Sequence, residues 1–200
     1  MRYCNREVDA LDIVVGVTGA TGIIYAIRLL QALAEFSEVN THLIMSEWAL
    51  HNLKTETDYS WEQVRNLAAA IYDNRDLGAK PASGSFMAQG MVIIPCSMKT
   101  LSAVANGYAD TLIARAADVT LKEQRKLVVC PRETPLNAIQ LENMLKLARI
   151  GAVIAPLMPA FYNRPRTIDD LIDYQILKVC DQFGLSYTGV SRWPELNGRR

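Results

Sequence analysis

Short apolar runs alternate with segments of helical periodicity along most of this 200-residue chain, and this alternation limits the fold more than any other feature. The apolar runs predict five buried strands, at Leu11–Val17 and at residues 42–45, 91–95, 127–130 and 152–155. Helical spacing predicts helices that start at Ile23 and Ala138, one that runs up to Leu53, and others at 61–71, 101–105, 111–126 and 168–183. Strands that alternate with helices form βαβ units, so we expect an α/β fold with one parallel sheet, right-handed crossovers and helices on both faces.

The length and the even composition favour one domain over residues 1–200. We find no internal repeat and no linker-like change of composition, and we expect a short N-terminal extension at 1–10 and a partly irregular tail at 185–200. Residues 73–90 form the least regular segment between predicted elements, which is typical of a long functional loop.

Charge and hydropathy argue against two classes of partner. Lysine plus arginine and aspartate plus glutamate both number 21, and no dense basic run is present, so we expect no nucleic-acid partner. The apolar runs are far shorter than the roughly 20 residues that span a bilayer, so we expect no membrane association. The first residues are polar and lack the apolar stretch of a signal peptide, which predicts a cytoplasmic protein.

The four cysteines are scattered, with neither a C-x-x-C pair nor histidines at zinc spacing. We interpret Cys4, Cys96, Cys130 and Cys180 as small thiols in a reducing compartment, and we expect no metal site.

The segments that directly follow the predicted strands carry the functional information, because an open parallel sheet binds ligands beyond the carboxyl ends of its strands. All five are rich in hydroxyl side chains, glycine, proline or arginine: residues 18–22, 46–47, 95–100, 131–135 and 156–165. Five such turns at one edge predict a single polar pocket that holds an anion.

The first turn is the best phosphate candidate of the five. Gly16, Gly19 and Gly22 are spaced by three, with hydroxyls at Thr18 and Thr21, and glycines let backbone N–H groups approach a phosphate at a helix start. The pattern matches neither the dinucleotide fingerprint nor a Walker loop. A tight turn without a ligand is the alternative.

Two cations share one face of the predicted helix 111–126. Arg115 and Lys122 lie two turns, about 10 Å, apart with Asp118 between them. The pair could hold a phosphate, or the three residues could form a surface ladder of ion pairs. Arg132 lies in the turn after the next predicted strand, and its planar guanidinium group can donate two parallel hydrogen bonds to a phosphate.

Glu56 and the two histidines do not by themselves indicate a catalytic site. Glu56 is expected to be a solvated carboxylate after the second helix. His42 lies inside a predicted strand and His51 in the middle of a helix, and neither has a partner that indicates a Ser/His/Asp triad.

Nine short segments, in order, resemble the UbiX/Pad1 family of flavin prenyltransferases. Gly-Val-Thr-Gly-Ala-Thr-Gly at 16–22 and Pro-Cys-Ser-Met-Lys-Thr at 95–100 are closest to its Pad1-like, phenolic acid decarboxylase-associated branch. The remaining segments are 55–57, 82–86, 115–119, 121–123, 131–136, 141–145 and 158–165.

The resemblance implies a three-layer, flavodoxin-like Rossmann fold and a metal-independent reaction. The family joins the dimethylallyl group of dimethylallyl monophosphate to N5 and C6 of FMN. The product, prenylated FMN, goes to a UbiD-type decarboxylase. The family assembles as a homododecamer with its sites at subunit interfaces.

The resemblance also assigns roles to individual residues. It implies FMN contacts from Gly19, Ala20, Thr21, Ser46, Ser97, Met98, Lys99, Thr100 and Arg132. It places Arg115, Lys122, Tyr162 and Lys178 around the prenyl phosphate, and an apolar flank such as Phe161 or Trp193 would keep the allyl cation from water. Proton transfer near N5 falls to Glu56, and Thr21, Lys122 and Glu133 complete the catalytic set.

Three of the matched positions depart from the family pattern. Many relatives have serine in place of Thr21 and histidine in place of Asn163, and some have arginine in place of Lys178.

Two other functions are compatible with parts of the sequence. A flavin-dependent cysteine decarboxylase has a segment similar to residues 81–85, but it needs a catalytic histidine, and His51 is only a loose candidate for that role. A non-catalytic, FMN-carrying subunit of a hydroxyarylic acid decarboxylase would need the flavin turns but neither Glu56 nor the cations.

Overall fold

The computed structural model of the chain describes residues 10–190. Its centre is a sheet of six parallel strands: β1 (Leu11–Val17), β2 (Val39–Met45), β3 (Ala70–Asp73), β4 (Gly90–Cys96), β5 (Lys126–Pro131) and β6 (Val153–Ile154). The strand order is β3-β2-β1-β4-β5-β6. Without the short edge strand β3 this is the flavodoxin order, so the predicted fold class is confirmed.

Helices cover both faces of the sheet. They are α1 (Ile23–Ala34), α2 (Glu47–Glu56), α3 (Trp61–Arg65), α4 (Met98–Ala105), α5 (Leu112–Lys122), α6 (Ala138–Arg149) and α7 (Ile168–Gln182), with a 3-10 turn at Lys80–Ala82. One core lies between the sheet and α1, α2, α3 and α7. The other lies between the sheet and α4, α5 and α6. Successive side chains of a strand point alternately into the two cores, so both sets are buried. This explains why the strands are continuous apolar runs in the sequence.

The strand predicted at 42–45 begins at Val39, the helix predicted at 101–105 begins at Met98, and the strand predicted at 152–155 is limited to Val153–Ile154. Two other predicted elements differ more. The segment 61–71 is not one helix, because α3 ends at Arg65 and β3 follows at the sheet edge, where alternate residues are exposed. A strand of this kind has little apolar signal. The helix predicted at 111–126 ends at Lys122, since Gln124 takes a left-handed backbone (φ 54°) that turns the chain into β5.

The C-terminal part of the described chain is irregular, as predicted, but it is packed. Gly184, with φ 72°, ends α7, and Leu185 and Tyr187 beyond it are buried. Cys4 and Trp193 lie outside the described residues. Within 10–190, no helix combines the length and the apolar character that crossing a bilayer requires.

A buried histidine links three neighbouring strands. His42 Nε2 lies 2.9 Å from Asp12 Oδ1, and its Nδ1 lies 2.9 Å from the Tyr72 hydroxyl. Because a carboxylate only accepts, Nε2–H donates to Asp12, and in the neutral imidazole the Tyr72 hydroxyl donates to Nδ1. His42 is therefore a satisfied core residue that fixes the register of β1, β2 and β3.

We expect Tyr72→Phe to lower the free energy of unfolding by about 1–3 kcal/mol, because it leaves the buried Nδ1 of His42 without a donor. Urea unfolding monitored by circular dichroism measures this change. Tyr108→Phe is the matched control, since Tyr108 is 65% exposed, and it should stay within about 0.5 kcal/mol of the unsubstituted protein. Equal effects of the two substitutions would contradict the role of His42.

Candidate functional site

A cavity of about 260 Å³ opens where β1 and β4 end, at the carboxyl edge of the sheet. The strand order reverses between these two strands, and open α/β sheets bind ligands at that point. Residues from three of the five predicted turns line it: Gly19, Ser46, Ser97, Lys99 and Thr100. The structure thus brings together the first three turns around one pocket, whereas the predicted contribution of residues 131–135 and 156–165 to the same pocket is wrong, since none of them lines it.

A larger cavity of about 670 Å³ adjoins the first toward β3. Ser46, Trp48, Asn74 and Lys99 line both. The first cavity alone is slightly smaller than a typical ligand pocket of about 300–1,000 Å³, whereas the second cavity lies within that range. Its mixed lining of hydroxyls, an indole and an ammonium group fits a ligand with both a planar ring system and a phosphate.

The start of α4 is the anion-binding end of the cavity. Ser97 is the N-cap, and its hydroxyl accepts from the Thr100 N–H at 3.4 Å. The N–H groups of Met98 and Lys99 belong to the first turn of the helix and have no intrahelical acceptor. With the Lys99 side chain at the cavity wall, this helix start can hold a phosphate.

The start of α1 differs from the expected phosphate site, because a carboxylate already occupies it. Glu56 Oε2 accepts from the N–H of Gly22 at 2.8 Å and of Ile23 at 3.1 Å. Gly22 is the N-cap, in a left-handed conformation (φ 97°), and supplies no side chain of its own. Glu56 is the last residue of α2, and its side chain is exposed, as expected, but it also caps α1.

Thr18 also has a role other than the expected contact with a phosphate. Its hydroxyl donates to the Pro95 carbonyl at 2.7 Å and accepts from the Ser97 N–H at 2.7 Å. It is 2% exposed. Thr18 therefore joins the end of β1 to the turn after β4 and aligns the two turns of the cavity.

Asn52 and Trp48, both on α2, hold the first turn from the other side. The Asn52 amide donates to the carbonyls of Gly19 at 3.2 Å and of Ala20 at 3.1 Å. A Cβ added at Gly19 would lie 2.4 Å from the Cβ of Trp48. Gly19 is therefore required by the close approach of α2, which the spacing of the glycines did not indicate. The Thr21 side chain is exposed beside this contact.

Arg132 and Glu133 follow β5 at the same edge of the sheet. The Arg132 N–H donates to the Cys96 carbonyl at 3.1 Å, which ties this turn to the end of β4. Glu133 accepts from the Thr134 N–H at 3.2 Å. Both side chains are exposed, so they are available to a ligand or to a second subunit.

Arg115 and Lys122 do not form the complete ladder through Asp118 that was the alternative to a phosphate site. Arg115 pairs with Asp118 at 2.7 Å, whereas Lys122 pairs with Glu123. Lys122 is the last residue of α5, so it lies toward the opposite, amino edge of the sheet, where β5 begins. A Cβ at Gly84 would lie 3.0 Å from the Lys122 Nζ, which places the loop 83–85 against this ammonium group.

Tyr162 and Lys178 lie in the layer of α7, on the other face of the sheet from α5. The Tyr162 ring packs edge-on against Tyr174. Lys178 lies 3.8 Å from Asp181, near the end of α7, whose Gln182 carbonyl accepts from Lys126 at the start of β5. Within one chain, the four residues expected around a prenyl phosphate therefore do not converge.

The described cysteines are structural. Burial raises the pKa of the Cys130 and Cys180 thiols to about 12, and it raises the pKa of Cys96 as well. Protonated thiols are poor nucleophiles at neutral pH. Within residues 10–190, no three His, Cys, Asp or Glu side chains are grouped so that they could hold a metal ion.

Sequence reasoning missed Trp48, Asn52 and Asn74. Asn74 lines the cavity, and it caps α5 by accepting from the N–H groups of Leu112 at 2.8 Å and Ile113 at 3.1 Å. The only available signal for Asn52 was its spacing of four residues before Glu56, which places both on one helix face.

Comparisons with known proteins agree with this geometry. The model of the family described as Flavoprotein matches residues 2–177. The flavin prenyltransferase LpdB of Lactiplantibacillus plantarum is 55% identical over 181 residues, which cover 90% of this chain and 97% of that protein.

Two solved structures match over nearly their whole length. The dodecameric FMN-dependent UbiX-like decarboxylase of Escherichia coli O157:H7 has a TM-score of 0.90 at 51% identity, covering 92% of this chain and 100% of that one. AnUbiX (PadA1), solved in complex with FMN and dimethylallyl pyrophosphate, has a TM-score of 0.91 at 48% identity, covering 94% and 100%. The match to the family model includes every residue that lines the first cavity.

Proposed function

The chain belongs to the Flavoprotein family, and from its 55% identity to a flavin prenyltransferase we propose that it is a flavin prenyltransferase. It transfers the dimethylallyl group of dimethylallyl monophosphate to N5 and C6 of FMN. The allylic C–O bond breaks and phosphate leaves as the dimethylallyl group bonds N5 of reduced FMN, which gives up its proton. Protonation of the prenyl double bond then lets its substituted carbon bond C6, and C6 releases a proton. The product is prenylated FMN.

One observation carries this proposal: the convergence of the first three polar turns on one cavity at the point where the strand order reverses. That cavity occurs in a chain 55% identical to an enzyme named flavin prenyltransferase. It also occurs in a fold that superposes on a protein solved with FMN and a dimethylallyl compound.

FMN is held at two places in this proposal. Its phosphate binds the start of α4, where Met98 and Lys99 offer backbone N–H groups, Lys99 adds an ammonium group and Thr100 lines the cavity wall. Gly19, Ala20, Thr21 and Ser46 contact the remainder of the flavin from the neighbouring turns. Arg132 adds a planar donor fork at the same edge of the sheet.

Glu56 moves a proton near N5. Its hydrogen bonds to Gly22 and Ile23 place the carboxylate directly after the turn 19–21, so no large rearrangement is needed to bring it to a flavin that contacts this turn. A positioned carboxylate can accept or return the proton that ring closure displaces. Thr21 and Glu133 lie in turns at the same edge of the sheet and assist that transfer.

The prenyl phosphate site is built from more than one subunit. Arg115, Lys122, Tyr162 and Lys178 occupy different faces and edges of one chain, so neighbouring copies must supply some of them. The homologue solved as a dodecamer shows that such an assembly suits this fold, and we propose a homododecamer for this chain. Preorganised cations then stabilise the charge that develops on the leaving phosphate. Phe161, which is 67% exposed, supplies an apolar flank against water.

The product is passed to a UbiD-type decarboxylase in the cytoplasm. The family resemblance implies this recipient, which would use prenylated FMN as its cofactor. The buried free thiols of Cys96, Cys130 and Cys180 suit a reducing compartment.

A single-turnover assay with reduced FMN and dimethylallyl monophosphate tests the proposal. We expect mass spectrometry to detect a flavin that carries one added dimethylallyl group, together with one equivalent of phosphate. A non-catalytic FMN carrier would bind FMN and return it unchanged. A cysteine decarboxylase would instead release carbon dioxide from a peptide with a C-terminal cysteine.

We expect Lys122→Ala to raise the KM for dimethylallyl monophosphate by about 10–100-fold, because a charge-assisted hydrogen bond contributes about 1.5–3 kcal/mol. The Kd for FMN should not change, since Lys122 is remote from the cavity. Initial rates and flavin fluorescence titration measure the two constants. Arg65→Ala, which removes another cation paired with a nearby carboxylate, is the control. A larger loss of FMN affinity than of prenyl phosphate affinity would contradict the assignment.

A further inference from the structure

We propose that α6 forms an antiparallel two-fold contact with α6 of a second copy of this chain, through an apolar stripe made of Ala138, Leu141, Leu145 and Ala148. The proposal rests on the homododecamer of the proposed function, and it names a surface that builds it.

The stripe is apolar and unpartnered within the described chain. α6 buries Asn143 and Leu147 against α4 and the sheet. Leu141 is 52% exposed and Leu145 is 49% exposed, and Ala138 and Ala148 are exposed as well. At 100° per residue these four positions fall within about 80° of one another, on the side of the helix away from Leu147. Apolar residues grouped in this way on a surface mark an interaction site.

The stripe has the symmetry that a two-fold contact needs. Its order is Ala, Leu, Leu, Ala, and its spacings are three, four and three, so the pattern is the same from either end. In an antiparallel pair Ala138 therefore meets the partner's Ala148, and Leu141 meets the partner's Leu145. A two-fold interface uses the same patch on both copies, which requires this self-complementarity. The small residues at both ends let the axes approach to about 8 Å.

A closed assembly of twelve copies supplies the reason for such a contact. A dodecamer built from rings, as four trimers or two hexamers, needs two-fold contacts between the rings. The stripe is only about 15 Å long, so a single contact buries less area than an isolated dimer requires. It stabilises the assembly as one of several contacts that form together.

The charged side chains of α6 lie outside the apolar stripe. Glu142, Lys146 and Arg149 lie to one side of it, and Lys146 bonds Asn106 Oδ1 at 2.9 Å within the chain. A polar margin next to an apolar centre is the usual arrangement at protein interfaces.

Native mass spectrometry and sedimentation velocity of the full chain with bound FMN test this inference. Leu145→Arg places two cations in each two-fold contact, and we expect particles of three or six copies in place of twelve. Ile139→Arg is the matched control, since Ile139 is 68% exposed on the same helix but lies off the stripe, and it should leave the dodecamer intact. Breaking a contact within a ring would instead leave dimers, so dimers from Leu145→Arg would overturn the inference.

Disulfide cross-linking provides a second test, which does not require the α6 contact to be broken. In a Cys4→Ser background, Ala138→Cys combined with Ala148→Cys should form a covalent dimer when oxidised glutathione is added, while either cysteine alone should not. If the unsubstituted protein is not a dodecamer, the proposed assembly is wrong. If it is a dodecamer that survives Leu145→Arg and gives no cross-link, the α6 contact is wrong while the proposed enzyme activity stands.

Discussion

We expect Glu56→Gln to form prenylated FMN about 10²–10⁴-fold more slowly than the unsubstituted protein, because glutamine cannot exchange the proton that general acid–base catalysis requires. Binding should survive. The side-chain carbonyl of the introduced glutamine would still accept from the two N–H groups that Glu56 Oε2 now bonds at 2.8 and 3.1 Å. The start of α1 and the adjoining turn 19–21 therefore keep their positions.

Rapid mixing with mass detection measures the rate, and fluorescence titration measures the affinity for FMN. Glu35→Gln, exposed and at the far end of α1 from the Glu56 contact, is the matched control and should react normally. Glu56→Asp separates the two roles, since it keeps the acid but is too short to cap both N–H groups. It should lose more stability and less rate than the glutamine variant. Turnover of Glu56→Gln within a few-fold of the unsubstituted protein would leave only the capping role.

The Gly19→Ala substitution should weaken FMN binding by about 10–100-fold, the equivalent of the 1–3 kcal/mol that overpacking typically costs. The new Cβ would lie 2.4 Å from the Cβ of Trp48. Neither atom can rotate away, because a Cβ is fixed by its own backbone. α2 must therefore shift, and with it Ser46 and Asn52.

Restoring the space tests this explanation. The double variant Gly19→Ala/Trp48→Gly moves the glycine to the other side of the contact, and the next nearest atom, the Trp48 carbonyl carbon, is then at an ordinary 3.5 Å. We expect it to bind FMN as well as Trp48→Gly alone, measured by equilibrium dialysis. If the double variant binds no better than Gly19→Ala, the glycine is needed for direct approach of the ligand and not for the approach of α2.

The walls of the cavity could be predicted only in part from the sequence. The turns after β1, β2 and β4 could be predicted to meet, because all strands of a parallel sheet end at the same edge. The strand order could not be predicted, since nothing local determines which strands are neighbours. That order is what places the reversal between β1 and β4 and makes these turns the walls of one cavity.

The sequence by itself determined the fold class, the bounds of β1, the end of α7 at Gly184, and the turns that form the cavity. These follow from local physics: apolar periodicity, helix stop signals, and short polar turns. Only the tertiary structure decided what Glu56, Gly19 and Thr18 contact, because each contact joins residues at least 29 positions apart in the chain. It also decided that Arg115, Lys122, Tyr162 and Lys178 are divided between two faces of the sheet. The physical reason is that the path of the chain through space, and not spacing along it, sets which side chains meet.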